Sequence, residues 1–94
     1  MTGEPALRLI VQGHVQRVGF RWWAVETARR LGVRGWVRNR ADGSVEILAI
    51  GPVAQLNALA EACRSGPAAA KVAAMRRDAA DDDGTMGFEQ LPSA

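Results

Sequence analysis

Apolar and polar residues alternate along three segments of the chain in the pattern of half-buried strands. The segments span residues 7–11, 33–40 and 44–50. Successive side chains of a strand point to opposite faces of a sheet, so a period of two predicts a strand in each segment. Gly13 ends the first segment, and Asp42 and Gly43 supply a tight turn between the other two. We therefore predict one separate strand followed by a hairpin.

Two other segments repeat their apolar residues at helical spacing. In residues 21–31 the apolar or small side chains form one stripe, and Gly32 follows as a stop signal. In residues 53–63 a second stripe follows Pro52, which suits the first turn of a helix. After these helices, a weaker alternation over residues 71–77 predicts a strand. The pattern then predicts an exposed loop over residues 79–87 and a short strand over residues 88–91.

Up to residue 77 the predicted order is strand, helix, strand, strand, helix, strand, which is the ferredoxin-like split βαβ (βαββαβ) arrangement of the α+β class. Each helix has one apolar stripe, so we expect both helices on one face of an antiparallel sheet. The chain has 94 residues, enough for one domain and too few for two. We predict a single domain over residues 1–94, with a motif-bearing core of about residues 6–91.

Composition excludes several classes of protein. Hydrophobic residues make up 48% of the chain, yet no apolar run approaches the roughly 18 residues of a membrane-spanning helix. One cysteine and one histidine, Cys63 and His14, can form neither an internal disulfide nor a tetrahedral metal site, so we expect no metal and no cofactor. The N-terminus lacks the pattern of a secretory signal, and we expect a cytoplasmic protein that binds no membrane.

Positive charge is concentrated in the first half of the chain. Residues 8–40 hold eight arginines and one acid, for a net charge of +7, whereas residues 41–94 carry a net charge of −4. A basic region of this kind attracts anions. We expect one of these arginines, Arg21, to bind a ligand. The role of Arg17 is left undecided at this point, and we expect the other six to be surface residues.

The residues between the first strand and the first helix form a candidate anion-binding loop. Residues 13–21 read Gly-His-Val-Gln-Arg-Val-Gly-Phe-Arg. A glycine-bounded loop before a helix can turn backbone N–H groups toward one point, to which the helix adds its positive end. Arg21 lies where its guanidinium can bind two phosphate oxygens. Taken alone, the loop also fits a plain connection with one exposed arginine.

A second motif changes that balance. Residues 35–46 read Gly-Trp-Val-Arg-Asn-Arg-Ala-Asp-Gly-Ser-Val-Glu. Together the two segments resemble the signatures of the acylphosphatase family, Gly-x-Val-Gln-Gly-Val-x-Phe-Arg and Gly-Trp-Val-x-Asn-x-x-Asp-Gly-x-Val-Glu. The second signature matches at every fixed position and the first at all but one. The resemblance extends from about Arg8 to Leu91.

The resemblance implies hydrolysis of acyl phosphates to a carboxylate and inorganic phosphate, which is both product and inhibitor. It implies that Asn39 orients the attacking water. The residues that it implies bind the substrate phosphate are Val15, Gln16, Arg17, Val18, Gly19, Phe20 and Arg21. The carboxylate that leaves an acyl phosphate has a pKa of about 4 and needs no general acid. This agrees with the lack of a convincing catalytic histidine, cysteine nucleophile or carboxylate pair in either motif.

Arg17 is the one departure from the first signature, which has glycine at that position. If the backbone there needs a positive φ, arginine costs roughly 1–2 kcal/mol and can tilt an N–H group out of the loop. Arg17 could add a second cation at the mouth of the site, be a tolerated substitution at an exposed tip, or impair activity. We expect the loop to bind phosphate despite the substitution.

Four other features have simpler interpretations. We expect His14 to be passive and Cys63 to be a buried, inert thiol on the second helix. Trp22 lies at the rim of the predicted site and could contact an acyl group. Residues 81–83 are three aspartates without the alternate spacing of a calcium loop, so we expect a solvated loop there.

The alternative function is a non-catalytic phosphate- or RNA-binding module on the same architecture. The arginine-rich first half favours it. However, RNA-binding sheets present two or three stacking aromatic residues, whereas Trp36 is the only aromatic residue in the predicted strands before Phe88. We therefore expect no nucleic-acid binding. We also expect a monomer, since the pattern leaves no additional apolar face.

Overall fold

Five strands and two helices make up the fold in the computed structural model, which describes residues 3–94. The elements are β1 (Ala6–His14), α1 (Phe20–Leu31), β2 (Arg34–Asn39), β3 (Val45–Ile50), α2 (Val53–Cys63), β4 (Lys71–Ala80) and β5 (Phe88–Gln90). They form one sheet in the order β4-β1-β3-β2-β5. The first four strands pair antiparallel, and β5 runs parallel to β2. The predicted ferredoxin-like fold is confirmed, and the fifth strand makes its sheet mixed.

Most element bounds lie within one or two residues of the prediction, and the pair formed by β1 and β4 is the exception. β1 continues to His14, and β4 continues to Ala80, where we expected a loop from residue 79. The antiparallel register explains both extensions, because Ala6 pairs with Ala80 and His14 pairs with Lys71. Each strand thus supplies backbone partners beyond the point at which the other's apolar pattern ends.

Both helices pack their apolar stripes against one face of the sheet. β3 is the central strand, and all six of its residues are buried. The core combines inward residues of the strands with the stripes of both helices, including Leu9, Val11, Val37, Ile47, Phe20, Ala24, Leu56 and Leu59. Burial of a leucine-sized side chain contributes about 1.5–3 kcal/mol. In the described part of the chain, no helix is long and apolar enough to cross a membrane.

Gly35 allows β2 to lie close to β3. A Cβ atom at this position would lie 1.9 Å from the carbonyl oxygen of Leu48, and the φ of Gly35 is 130°. Any side chain would therefore push the two strands apart and add backbone strain. The glycine that opens the second motif thus preserves the strand register that places Asn39 at the end of β2.

The opposite face of the sheet is occupied by paired charges. Glu46 on β3 is only 5% exposed, although it is a carboxylate. The Nε atom of Arg38 lies 2.8 Å from one of its oxygens, and that of Arg8 lies 3.3 Å from the other. A buried carboxylate requires such partners because it has lost its hydration. Both arginines were expected to be surface residues; Arg8 is exposed and Arg38 half-buried, and their ion pairs with Glu46 are a role that the sequence did not predict.

The acidic segment after β4 docks against the edge of this charged face. Asp82 accepts hydrogen bonds from the Arg34 guanidinium at 2.6 Å and from the backbone N–H of Glu4 at 3.0 Å. Asp83 accepts one from the indole N–H of Trp36 at 3.1 Å. We expected a solvated loop, but two of its three aspartates bind groups of distant sequence. Within residues 3–94, no three His, Cys, Asp or Glu side chains are grouped as a metal ion would require.

The ion pair of Asp82 predicts acid-sensitive stability. Hydrogen bonds from Arg34 and from backbone N–H groups lower the pKa of Asp82 from 3.8 to about 2. Because the pKa is lower in the folded state, ionised Asp82 stabilises the fold above about pH 4, and this contribution is lost as the pH falls toward about 2. We expect Asp82→Asn to lower the free energy of unfolding at neutral pH and to reduce its dependence on pH in this range.

Urea unfolding of both proteins at several pH values between about 2 and about 6 measures this difference. Asp81→Asn is the matched control, because Asp81 is an exposed neighbour. Equal pH dependence in wild type and Asp82→Asn would contradict the role given to Asp82.

Candidate active site

The loop between β1 and α1 leads into a helix end whose backbone N–H groups donate no hydrogen bond to a side-chain cap among the described residues. Five residues, 15–19, connect the two elements. Gly19 is the N-cap and has a φ of 79°, which glycine adopts without strain. Among the described residues, no side chain caps this end of α1, and its first turn contains no acid. The N–H groups and the positive end of the helix are therefore available to an anion.

A cavity of about 130 Å³ opens beside this helix end. Its lining residues are Val15, Arg17, Gly19, Phe20, Arg21, Trp22, Asn39 and Gln90. The two sequence motifs thus meet in space, since Asn39 comes from β2 and most other lining residues come from the loop and α1. Val15 and Phe20 are each 1% exposed and anchor the loop in the core. Arg21 and Asn39 are half-buried, whereas Arg17, Trp22 and Gln90 are exposed.

Gln16 and Val18 belong to the loop, but their side chains do not line the cavity. Val18 packs against the core. The side-chain amide of Gln16 donates two hydrogen bonds, each of 2.9 Å, to the carbonyl oxygens of Arg40 and Ser44. These oxygens flank the turn of the β2–β3 hairpin, and Asn39 directly precedes Arg40. Gln16 therefore links the loop to the hairpin that carries Asn39, a contact that local sequence did not reveal.

Gln90 is the lining residue that sequence reasoning missed. It lies on β5 and pairs with Val37 in the parallel register with β2. Gln90 and Val37 therefore share the face of the sheet that Asn39 also occupies two residues farther along β2. The backbone continues this alignment beyond β5, since the N–H of Ala94 donates to the carbonyl oxygen of Asn39 at 2.9 Å. Only the pairing of β5 with β2 brings Gln90 to the site.

Arg17 occupies the position at which the family signature has glycine, and its backbone has the positive φ that glycine adopts easily. Its φ is 63°, and it is the only residue other than glycine with a positive φ in the structure of residues 3–94. This conformation costs an L-residue with a Cβ roughly 1–2 kcal/mol. The strain lies at the cavity itself, because Arg17 is one of the lining residues.

The charged side chains that line the cavity are all positive. Arg17 and Arg21 are both among them, and no lining residue is an aspartate or glutamate. Neither arginine forms a salt bridge or a side-chain hydrogen bond with another described residue. By contrast, Arg8, Arg34 and Arg38 are paired with acids on the opposite face of the sheet. Two arginines without an acidic partner among residues 3–94 thus line the cavity.

Two residues that the sequence singled out lie away from the cavity. Cys63 is fully buried on α2, and burial raises the pKa of its thiol to about 12. The prediction that Cys63 is buried on the second helix is confirmed, and the raised pKa disfavours the thiolate, which is the effective nucleophile. His14 is exposed at the end of β1 and does not line the cavity.

Comparison with known proteins identifies relatives over nearly the whole chain. The family model described as Acylphosphatase matches residues 7–90. An acylphosphatase of Rhodospirillum rubrum is 49% identical over 83 residues, which cover 88% of this chain and 91% of the relative. One of Rhizorhabdus wittichii is 47% identical over 90 residues, covering 94% and 89%. The crystal structure of acylphosphatase from Bacillus subtilis superposes with a TM-score of 0.89 at 38% identity, covering 93% of this chain and 98% of that one.

The Gln16 link predicts that the loop and the hairpin are ordered together. Gln16→Ala removes two hydrogen bonds, and we expect a loss of about 1–2 kcal/mol in the free energy of unfolding. We also expect faster hydrogen exchange of the backbone amides of residues 15–20, because the loop loses its contact with the hairpin. Urea unfolding and amide exchange measure the two effects.

Gln12→Ala is the matched control, since Gln12 is an exposed glutamine of β1 outside the cavity. Unchanged exchange at residues 15–20 in Gln16→Ala would show that the loop is held by its other contacts alone.

The positive φ of Arg17 predicts that glycine stabilises the protein at this position. We expect Arg17→Gly to raise the free energy of unfolding by about 1 kcal/mol, because relief of strain exceeds the entropy that glycine adds to the unfolded chain. Arg17→Ala retains a Cβ atom and should give no such gain. Urea unfolding of the three proteins measures the difference, and a gain of the same size in Arg17→Ala would argue against backbone strain.

Proposed function

The chain belongs to the acylphosphatase family, and on this premise we propose that the cavity beside α1 is where it hydrolyses the carboxyl–phosphate bond of acyl phosphates. The products are a carboxylate and inorganic phosphate. The observation that carries this proposal is the meeting of an uncapped helix end, the half-buried Arg21 and the amide of Asn39 around one small cavity.

Backbone N–H groups and Arg21 bind the phosphate in this proposal. The N–H groups of residues 15–20 surround the negatively charged oxygens, and the positive end of α1 adds to their attraction. The guanidinium of Arg21 binds two of the oxygens in a bidentate contact. Half-burial of Arg21 strengthens this contact, because fewer water molecules compete with it. These donors also stabilise the charge that is spread over the phosphoryl oxygens in the transition state.

Asn39 orients the attacking water through its side-chain amide. A neutral amide can accept one hydrogen bond from the water and donate another to the substrate, but it cannot remove a proton. The proton passes to an oxygen of the substrate phosphate, and the carboxylate leaves without a general acid because it is a weak base. The lining residues include no His, Cys, Asp or Glu. In this proposal the lining residues therefore catalyse the reaction by positioning the reactants and by stabilising charge.

The product phosphate is also expected to bind in the cavity. We expect it to compete with the substrate for the same donors.

Features outside the cavity support further parts of this proposal. The large exposed hydrophobic residues of the described chain are Trp22, Val53 and Met86, which lie in three different segments. This distribution favours a monomer. The lone and buried Cys63 is compatible with the reducing cytoplasm, where we expect the protein to act.

The charged face of the sheet argues against the RNA-binding alternative. Trp36 is the aromatic residue that would have to stack on a base, but its ring lies 4.8 Å from the Arg38 guanidinium. Its indole N–H is bound by Asp83. Phe88, on β5, is buried in the core. An acidic segment therefore occupies the place where an RNA backbone would have to approach, and like charges repel.

Substitution of Arg21 and Asn39 separates phosphate binding from water positioning. We expect Arg21→Ala to lower kcat/KM for benzoyl phosphate about 100-fold or more and to abolish measurable binding of inorganic phosphate. We expect Asn39→Ala to lower kcat by a similar factor while phosphate still binds, because the anion donors are intact. Steady-state assays in EDTA and titration of the amide signals of residues 15–20 with phosphate measure the two effects.

Arg30→Ala is the matched control, since Arg30 is an exposed arginine of α1 outside the cavity. p-Nitrophenyl phosphate should be hydrolysed poorly, because its leaving group is a weaker acid than a carboxylic acid. Wild-type turnover in Asn39→Ala would contradict the role of Asn39, and an absence of phosphate-induced shifts in residues 15–20 would contradict the binding loop.

A further inference from the structure

Arg17 is a guanidinium that the proposed reaction leaves without a task. In the proposed function, the loop amides, the helix end and Arg21 already bind the phosphate. Yet Arg17 also lines the cavity, and its side chain is exposed and unpaired among the described residues. It retains this place in a left-handed backbone conformation, with a φ of 63°, that glycine would adopt without strain. Strain at a ligand cavity is commonly associated with function.

The size of the cavity determines where the acyl group lies. Pockets that enclose a drug-sized ligand have volumes of about 300–1,000 Å³. The cavity here measures about 130 Å³, so it can enclose only a small group such as the phosphate. The acyl part must then extend past the rim. The exposed side chains at the rim are Arg17, Trp22 and Gln90, and Arg17 is the only charged one.

We propose that Arg17 is a specificity-determining residue that selects acyl phosphates whose acyl group carries a second negative charge, such as a carboxylate. This inference rests on the proposed function and adds the substrate class. The lining contains no acid that would neutralise Arg17 or repel the second anion. Trp22 offers an apolar surface for the carbon part of the acyl group beside it. The two guanidinium groups then bind the two ends of one substrate.

Arg17 could instead bind the same phosphate as Arg21, and the two arrangements predict different kinetics. A contact with the shared phosphate affects every acyl phosphate equally. A contact with a second anion affects only the substrates that carry one. The ratio of kcat/KM for a charged and an uncharged substrate therefore isolates the second contact, because changes in loop geometry or stability cancel in it.

Benzoyl phosphate and 4-carboxybenzoyl phosphate provide this comparison, since they differ by one carboxylate. We expect wild type to prefer the carboxylated compound. In Arg17→Gln the preference should fall about threefold to fivefold, the upper part of the range of an exposed ion pair. Arg17→Lys retains the positive charge and should keep most of the preference. Arg30→Gln, which removes an exposed charge of α1 outside the cavity, should leave it unchanged. The wild-type preference should also decrease with increasing salt.

The outcomes separate this inference from the proposed function. If wild type hydrolyses both compounds and Arg17→Gln slows both by the same factor, Arg17 binds the shared phosphate or shapes the loop, and the inference is wrong. It is also wrong if the preference is the same in wild type and Arg17→Gln, or if Arg30→Gln lowers it as much. If wild type hydrolyses neither compound, the proposed function itself fails.

Discussion

The hydrogen bonds of the Gln16 side chain hold the two halves of the cavity together. β3 lies between β1 and β2 in the sheet, so the loop after β1 and the end of β2 share no backbone pairing. The Gln16 amide spans this gap by binding the carbonyl oxygens of Arg40 and Ser44 at 2.9 Å. A misplacement of about 1 Å can reduce a reaction rate about 100-fold. The Gln16 link therefore helps to keep the loop amides, Arg21 and Asn39 in the relative positions that the proposed reaction requires.

The arginines on the face of the sheet away from the cavity are paired with acids, whereas those at the cavity have no acidic partner in the described part of the chain. Arg8, Arg34 and Arg38 belong to the basic first half of the chain, and they pair with acids of the second half. Acids of the second half thus neutralise these three arginines on the face of the sheet away from the cavity. Arg17 and Arg21, which line the cavity, form no ion pair with any of residues 3–94. Part of the positive charge of the first half is therefore balanced within the fold, and the two arginines at the cavity remain available to an anion.

Local sequence predicted those features that short-range chemistry decides. The hairpin follows from Asp42, whose carboxylate accepts hydrogen bonds from the backbone N–H of Ser44 at 2.9 Å and from its hydroxyl at 2.6 Å. The apolar stripes predicted both helices, because a helix buries residues of one periodic face. The resemblance to the family predicted one site for Arg21 and Asn39, because the first motif contains Arg21 and the second contains Asn39.

The sequence by itself thus determined the element order, the family and the residues proposed to bind phosphate and to orient water. Tertiary structure decided the full length of β4, the parallel pairing of β5, the place of Gln90, the partners of Gln16 and the docking of the acidic segment. Each of these depends on contacts between residues far apart in the chain; Gln16 and Ser44, for example, are separated by 28 positions. Periodicity and motifs report only on neighbours, so contacts of this kind became visible when the sheet brought the segments together.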